Sequence, residues 1–399
     1  MISVDDARGH ILGACGRLAP RSLELQAALG CVAAEEVVAG EDVPPFANTA
    51  MDGYAVRAAD THDAPVCLTV VATLAAGSAP GVEVGRGQAV RIMTGAPMPP
   101  GADAVVMVEH TRAADDRATV VIETAASPSQ HVRGPGEDLR RGQALFGAGT
   151  VLTPAHLGVL ASVGRQTVAV VPAARVGVLS TGDELVGGGG PLKPGQIRDS
   201  NRPTLLALTA QAGCVPVDLG LVGDDESALA QAVTRGVDSC DALVTSGGVS
   251  VGDFDYVKAV LDRLGAMQWW QVAVRPAKPL AFGLIGGTPV FGLPGNPVSS
   301  MVSFELFARP ALRQMIGHTV IDRPRVTAVA DEPLLRRGDG KLHLVRVVAT
   351  RGDGGGWHVR SSGGQGSHVL SAMARANALA LLPDGDGVAS GASVEIMLL

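Results

Sequence analysis

The spacing of apolar residues changes character several times along this chain, and each change marks a boundary between kinds of structure. Residues 1 to 38 read first as helical, with Ser3 and Asp6 placed as a capping box ahead of "ARGHILGAC". "EDVPPFANTAMDGYAV" (41 to 56) then breaks all periodicity with two prolines. From 65 to 125 the apolar residues fall into short β-branched runs, "VCLTVVATL", "GQAVRIM", "ADAVVMVE" and "ATVVIE", separated by Gly and Pro turns, which predicts a small β domain. "RGPGEDLRRGQ" (133 to 143) closes it, and "TPAHLGVLASVG" predicts a helix with Thr153 as N-cap, Pro154 at the first helical position and Gly164 as its stop.

For about 150 residues beyond that helix, strand and helix patterns alternate. The apolar runs "RVGVLS", "VPVDLGLV", "DALVTS", "QVAV" and "PVFGLP" are interleaved with helical segments near 203 to 212, 226 to 237, 255 to 264 and 298 to 315. Such alternation predicts a doubly wound, mainly parallel sheet with helices on both faces. Ligands bind such sheets outside the carboxyl ends of the strands. The loops to inspect are therefore "TGDEL", "GDDES", "SGGVSVGDFD", "RPAKP" and "GLPGNPVS", each carrying Gly, Pro, charge or hydroxyl. From 321 to 399 the pattern returns to β, through "RVTAVADEPL", "KLHLVRVVAT", "GWHVRS", "ALALLP" and "ASVEIMLL", which predicts a small β-barrel-like domain. The expected fold class is thus multidomain α/β, with a central sheet domain, two small β domains and a helical and extended N-terminal domain. Its expected parts are 1–44 with 139–172, 45–138, 173–320 and 321–399.

Composition narrows the function. At 46% apolar and 18% charged, the 399-residue chain is globular, and its formal charge of −7 argues against a broad nucleic-acid footprint. Cys15, Cys31, Cys67, Cys214 and Cys240 are scattered, with no Cys-x-x-Cys pair, as for buried thiols in a reducing cytoplasm. "MISVDDARGH" lacks a basic stretch leading into an apolar one, and no apolar run approaches 18 residues, so a cytoplasmic location with no membrane or nucleic-acid partner is expected. Only four of the 32 basic residues are lysines, Lys193, Lys258, Lys278 and Lys341, and two of them fall beside Gly-rich motifs.

The stretch "TSGGVSVGDFDYVK" (245 to 258) combines a turn stripped of side chains, Ser246-Gly247-Gly248, with Asp253 and Asp255. An anion cradle of backbone N–H groups beside carboxylates is what a metal-assisted phosphate site requires, since Mg²⁺ takes hard oxygen ligands and bridges phosphate oxygens. Glu184, Asp224 and Asp225 offer further acid groups, although each carboxylate is equally placed to cap the helix after it, Asp225 above all. Arg275 and Lys278 lie close together in "VAVRPAKPLAFG", and Pro294, Gly295, Asn296 and Pro297 lead into a helix start carrying Ser299. That set would suit a second oxyanion. No Ser-His-Asp signature, Gly-x-Ser-x-Gly elbow, His-Glu-x-x-His motif or Walker A sequence is present.

Seven stretches in order, "PPFANTAMDGYAVR", "RIMTGAPMPPGADAVVMVE", "VGVLSTGDEL", "PGQIRDSN", "TSGGVSVGDFDYVK", "PAKPLAFG" and "GLPGNPVSS", resemble the molybdopterin molybdenumtransferases, the MoeA proteins of bacteria and the gephyrin E domain of animals. The resemblance runs from about residue 3 to the C-terminus. It implies insertion of molybdate into adenylylated molybdopterin with release of AMP and use of a divalent metal such as Mg²⁺. It also implies an elongated four-domain homodimer with a site shared between subunits, and as further partners the molybdopterin adenylyltransferase and the molybdoenzymes.

By the same resemblance, Asp52 and Thr94 line the site from the partner subunit, and Asp138, Glu184, Asp224 and Asp255 match acidic residues important for activity. Ser250 and Asp253 lie against the adenylate phosphates and metal, with Asp255 and Glu184 as further metal ligands. Molybdate is expected against Arg275, Lys278 and Ser299, with Arg346 and Ser367 reaching over from the C-terminal domain. Three positions depart from the family pattern: Gln271 where Lys is frequent, Ala277 where Gly is usual, and Ala47 in place of an acidic residue. The alternatives are the adenylyltransferase of the preceding step, which lacks the "MDGYA" region and the C-terminal β domain, and a non-catalytic scaffold like gephyrin.

Overall fold

The computed structural model describes residues 1–113, 115, 118–248 and 256–399. The chain divides into two compact units, one of residues 23–29 and 35–168, the other of 1–22, 30–34 and 169–399.

Helix α1 (Val4–Ala14) starts as the sequence predicts: Ser3 is its N-cap, accepting from the Asp6 N–H. It ends at Ala14, however, and the rest of the expected helical stretch to 38 forms short strands and a 3₁₀ turn. The Gly16, Pro20 and Gly30 punctuation explains why periodicity stops there. Ala7 and Ile11 of α1 are fully buried in the core that also holds Leu312 and Met315, so α1 belongs to the larger unit instead of with 139–172.

In the smaller unit, β1 (Gly53–Val56), β2 (Val66–Leu74), β3 (Gln88–Ile92), β4 (Ala104–Met107), β5 (Thr111–Ala113) and β6 (Thr119–Ile122) form one sheet in the order β4-β1-β3-β2-β6-β5. Its faces bury Tyr54, Val56, Leu68 and Val106 on one side and Ala55, Val90, Ile92 and Val105 on the other. Opposite burial of neighbouring residues is the period-2 pattern of a strand covered on both faces. Helix α2 (Pro154–Ser162) begins at Thr153 in a capping box with His156, and Gly164 follows it at φ +74°.

The larger unit holds a six-stranded sheet built from β7 (Arg175–Thr181), β8 (Val215–Val222), β9 (Ala242–Ser246), β10 (Ala266–Gln271), β12 (Pro279–Ile285) and β13 (Thr288–Leu293). The two-residue strand β11 (Val274–Arg275) lies between β10 and β12 in the chain and pairs elsewhere. The order is β8-β7-β9-β13-β12-β10; the first four strands are parallel, and β12 and β10 add antiparallel. Helices α3 (Asn201–Gln211), α4 (Glu226–Ser239) and α5 (Tyr256–Leu264) belong to this sheet. Helices α6 (Pro297–Ser303) and α7 (Arg309–Met315) are joined by a π-helical turn at Phe304–Ala308. Separate cores cover the two faces, one around Val176, Val244 and Phe291 and one around Leu179, Leu243 and Val290.

Beyond it, β14 (Arg325–Ala330), β16 (Leu342–Arg351), β17 (Trp357–Ser361), β18 (Ala378–Leu382) and β20 (Ser393–Leu398) pair in the cycle β16-β17-β14-β20-β18-β16, a closed sheet as expected. Strand β15 (Leu334–Leu335) pairs with β19 (Gly387–Val388) beside it, and β11 extends the closed sheet along β16.

Candidate functional site

The parallel strands end on one edge, which gathers the loops singled out in the sequence. Register fixes this: Ser180, Ser246 and Leu293 are aligned across β7, β9 and β13. "RPAKP" joins the same edge although it precedes a strand, because β12 runs antiparallel and its Pro279 and Ala281 face Gln271 and Gly292.

Glycine is required at the centre of that edge. Gly247 sits at φ +98°, and a Cβ there would stand 2.7 Å from the Thr181 carbonyl oxygen on the adjacent strand. Gly248 is also left-handed at φ +64°. Asn201, buried at the start of α3, locks this turn to the next one: its Nδ2 donates to Ser246 Oγ at 2.7 Å and to the Gly295 carbonyl at 2.7 Å. Two residues earlier, Asp199 accepts from Ser180 Oγ at 3.1 Å and pairs with Arg202 at 3.0 Å, and Arg202 also grips Asp218. "RDSN" therefore staples three strand ends together. Neither Asn201 nor Asp199 is given a role by the sequence reading, although both lie in "PGQIRDSN", one of the stretches that carry the family resemblance.

The acidic groups sit toward the β8 side. Glu184 is exposed after β7 and its side chain folds over Gly182, where any Cβ would collide with the carboxylate. Asp183 Oδ1 accepts from the Asp224 N–H at 2.9 Å, joining the loops after β7 and β8. Asp225 caps α4 through the Ala228 N–H at 2.6 Å, the structural role open to it from the start. Ser250, Asp253 and Asp255 lie outside the described residues. Among the described residues no group of three or more His, Cys, Asp or Glu side chains is spaced to hold a metal. The donors at this end are nonetheless carboxylate oxygens, the kind a hard dication takes.

On the β12 side, Arg275 and Lys278 are exposed, and the Lys278 carbonyl accepts from the Val272 N–H at 2.7 Å. Between them Ala277, 2% exposed, adopts φ +85°, a left-handed conformation that disfavours any Cβ. Pro294 is buried, Asn296 precedes α6, Pro297 is its first residue and Ser299 is 5% exposed within it. The Ser367 carbonyl accepts from the Val298 N–H at 3.1 Å, which brings the 361–367 loop to the start of α6 and so joins Ser367 to the Ser299 neighbourhood.

Arg346 differs from expectation. It is 1% exposed, its Nη2 donates to the Gly364 and Gly366 carbonyls at 3.0 and 3.1 Å, and its Nε is buried without a partner. Burial lowers its pKa. The Gln365 side chain ties the same loop to the Arg346 backbone, accepting from its N–H at 2.9 Å and donating to its carbonyl at 3.0 Å.

In the smaller unit, Asp52 Oδ1 accepts from both the Thr94 N–H at 2.6 Å and Thr94 Oγ at 2.7 Å. Those two bonds, the backbone one first, hold the carboxyl below the usual carboxylate range, so Asp52 is an oriented anion. Asp138 is exposed and anchored through its N–H to the Val43 carbonyl at 3.0 Å.

Fold and site together define a multidomain α/β protein whose sheet edge carries two linked Gly-containing turns, flanked by carboxylates on one side and basic residues on the other. Comparison with known proteins makes the assignment specific. Residues 2–164 match the MoeA N-terminal region (domain I and II), 177–314 a probable molybdopterin binding domain, and 334–399 the MoeA C-terminal region (domain IV). The chain is 38% identical over 398 residues to the molybdopterin molybdenumtransferase of Haemophilus influenzae, covering 99% of this chain and 98% of that one. It is 40% identical over 388 residues to molybdopterin molybdenumtransferase 2 of Mycobacterium tuberculosis, covering 94% of each. The crystal structure of the MoeA molybdopterin biosynthesis protein of Pyrococcus horikoshii superposes with a TM-score of 0.80 at 30% identity, covering 100% of this chain and 99% of that one. The chain belongs to the MoeA family.

Proposed function

We propose that this protein is a molybdopterin molybdenumtransferase, which inserts molybdate into the dithiolene of adenylylated molybdopterin and releases AMP, the final step of molybdenum cofactor biosynthesis. The observation that carries the reading is the sheet edge itself, where Asn201 ties the Ser246 and Gly295 turns together and charge of opposite sign flanks them. Full-length similarity to proteins named for that activity supports it.

In this reading the Ser246-Gly247-Gly248 turn receives the adenylate phosphates, while Arg275, Lys278 and Ser299 hold molybdate by charge and hydroxyl donation. Glu184, with Asp253 and Asp255, would hold Mg²⁺, which when bound supplies charge neutralisation at the pyrophosphate. Positioning and electrostatic stabilisation then do the catalysis, with no covalent protein nucleophile. A homodimer would bring Asp52 and Thr94 of one subunit to the site of the other; Phe46 and Met51 beside them, 47% and 40% exposed, suit a face that a second copy covers. The setting is cytoplasmic, and no helix among the described residues is long and apolar enough to cross a membrane.

Asp255→Asn should abolish AMP release without unfolding the protein, and normal turnover in that variant would rule the assignment out. The adenylyltransferase of the preceding step is the rival reading; it predicts a requirement for ATP as adenylate donor. Similarity over both the N-terminal and C-terminal regions favours the transferase.

A further inference from the structure

Between the "RPAKP" segment and the closed C-terminal sheet lies a cavity of about 540 Å³ whose wall includes Arg275, Arg336, Arg337, His343, Arg346 and Gln365. Its volume falls within the range of small-molecule sites. Four arginines face one space, but their guanidinium groups are not equally available.

Arg336 is committed through both terminal nitrogens, while its Nε is buried without a partner among the described residues. Its Nη1 donates to the carbonyls of Lys341, Leu382 and Pro383 at 2.7, 2.9 and 2.7 Å, and its Nη2 pairs with Asp384 at 2.6 Å and Asp339 at 3.1 Å. Its side chain is 1% exposed. Arg346 is turned onto the carbonyls of Gly364 and Gly366. Both therefore act as internal struts, and their charge is directed to carbonyl groups and to Asp339 and Asp384.

Arg275 and Arg337 are different: both are exposed, and among the described residues neither makes a side-chain hydrogen bond or ion pair. Each is held at its base. Arg275 lies opposite His343 in the β11–β16 pairing. Arg337 follows the anchored Arg336, at the head of a turn that Asp339 closes by accepting from Arg336, from Lys341 at 2.7 Å and from His343 at 3.0 Å. Those bonds, the Lys341 one first, push the Asp339 carboxyl down to about 2, so it stays charged within its own network. The cavity is left with two free guanidinium forks on fixed backbone and with its nearby carboxylates already engaged.

We infer that Arg337 is a further oxyanion-binding residue, acting with Arg275 across this cavity. The inference rests on the transferase reading for the identity of the anion, molybdate. A guanidinium fork matches two oxygens of a tetrahedral dianion, and two forks from separate segments would hold it from two sides.

The test is isothermal titration of the full-length protein with molybdate at fixed ionic strength, comparing wild type with Arg337→Ala, Arg337→Lys and Arg275→Ala. Since Arg337 is exposed and unbonded, its removal leaves the thermal unfolding profile unchanged. Arg337→Ala is expected to weaken molybdate binding about 10- to 100-fold, the span of a charge-assisted hydrogen bond. Arg337→Lys, which keeps a point charge but no fork, should fall between. Wild-type affinity in Arg337→Ala alongside lost affinity in Arg275→Ala would overturn the role of Arg337 and leave the oxyanion site standing. Absence of molybdate binding by the wild-type protein would overturn both.

Discussion

Asn201→Ala is the most informative single perturbation of the sheet edge, because one buried amide joins two of its turns. Asn201 is 9% exposed and its Nδ2 makes two bonds of 2.7 Å. Ser246, at 2% exposure, would be left with a buried hydroxyl lacking this partner, at a cost of about 1–3 kcal/mol. Gly295 is exposed, so water can replace the lost donor and only the net worth of the bond, about 0.5–1.5 kcal/mol, disappears. Together the loss is about 1.5–4.5 kcal/mol. Urea unfolding followed by tryptophan fluorescence reads it selectively, since Trp269, Trp270 and Trp357 all lie in the larger unit. Freeing the Ser246-Gly247 and Gly295 turns from each other should also slow single-turnover AMP release by about tenfold or more, as misplacement of positioning groups does. Asn201→Asp, which loses the donor and sets a carboxylate against a carbonyl, should do no better. An Asn201→Ala protein with the wild-type urea midpoint and wild-type rate would refute the coupling of the two turns.

Three further outcomes follow from the geometry. Thr94→Val removes one of the two bonds orienting Asp52, and kcat should drop about tenfold while Thr94→Ser stays near wild type; equal rates for Val and Ser would sever the pair from catalysis. Ala277→Val forces a β-branched side chain into φ +85° and should cost about 1–3 kcal/mol in the same urea assay, with weakened molybdate binding; an unchanged midpoint would show the segment adapts freely. His318 is driven down to about 4 by burial first and then by Arg313 and Arg309, so between its ordinary 6.5 and that value the unfolded chain binds the extra proton. Stability should therefore fall as pH drops from 6.5 toward 4, and His318→Gln should flatten that slope; an identical pH profile in the variant would contradict the assignment.

The sequence made the sheet and its loaded edge legible because strand and helix periods alternate cleanly and each strand end carries Gly, Pro or charge. Local capping was legible for the same reason, as Ser3 with Asp6 and Thr153 with Pro154 act within one turn of chain. What depends on distant partners was not. Strand β12 begins at Pro279 inside a segment whose prolines read as a stiff loop, and only pairing with β13 and β10 makes it a strand. Helix α1 carries no local sign of packing beside Leu312 and Met315. Arg336 and Arg337 are adjacent and chemically identical, yet one is a buried strut and the other free, a difference set by carbonyls and carboxylates as far along the chain as Leu382 and Asp384. Arg346, placed against molybdate by the family resemblance, turns inward because the Gly-rich loop after β17 offers it carbonyls.

The central claim is transfer of molybdenum at the sheet edge. Single-turnover release of AMP from adenylylated molybdopterin, with Mg²⁺ and with or without molybdate, tests it most directly. AMP release that depends on molybdate and coincides with formation of active cofactor is expected; a protein that binds the adenylylated pterin but releases no AMP with molybdate present would contradict transfer at this edge.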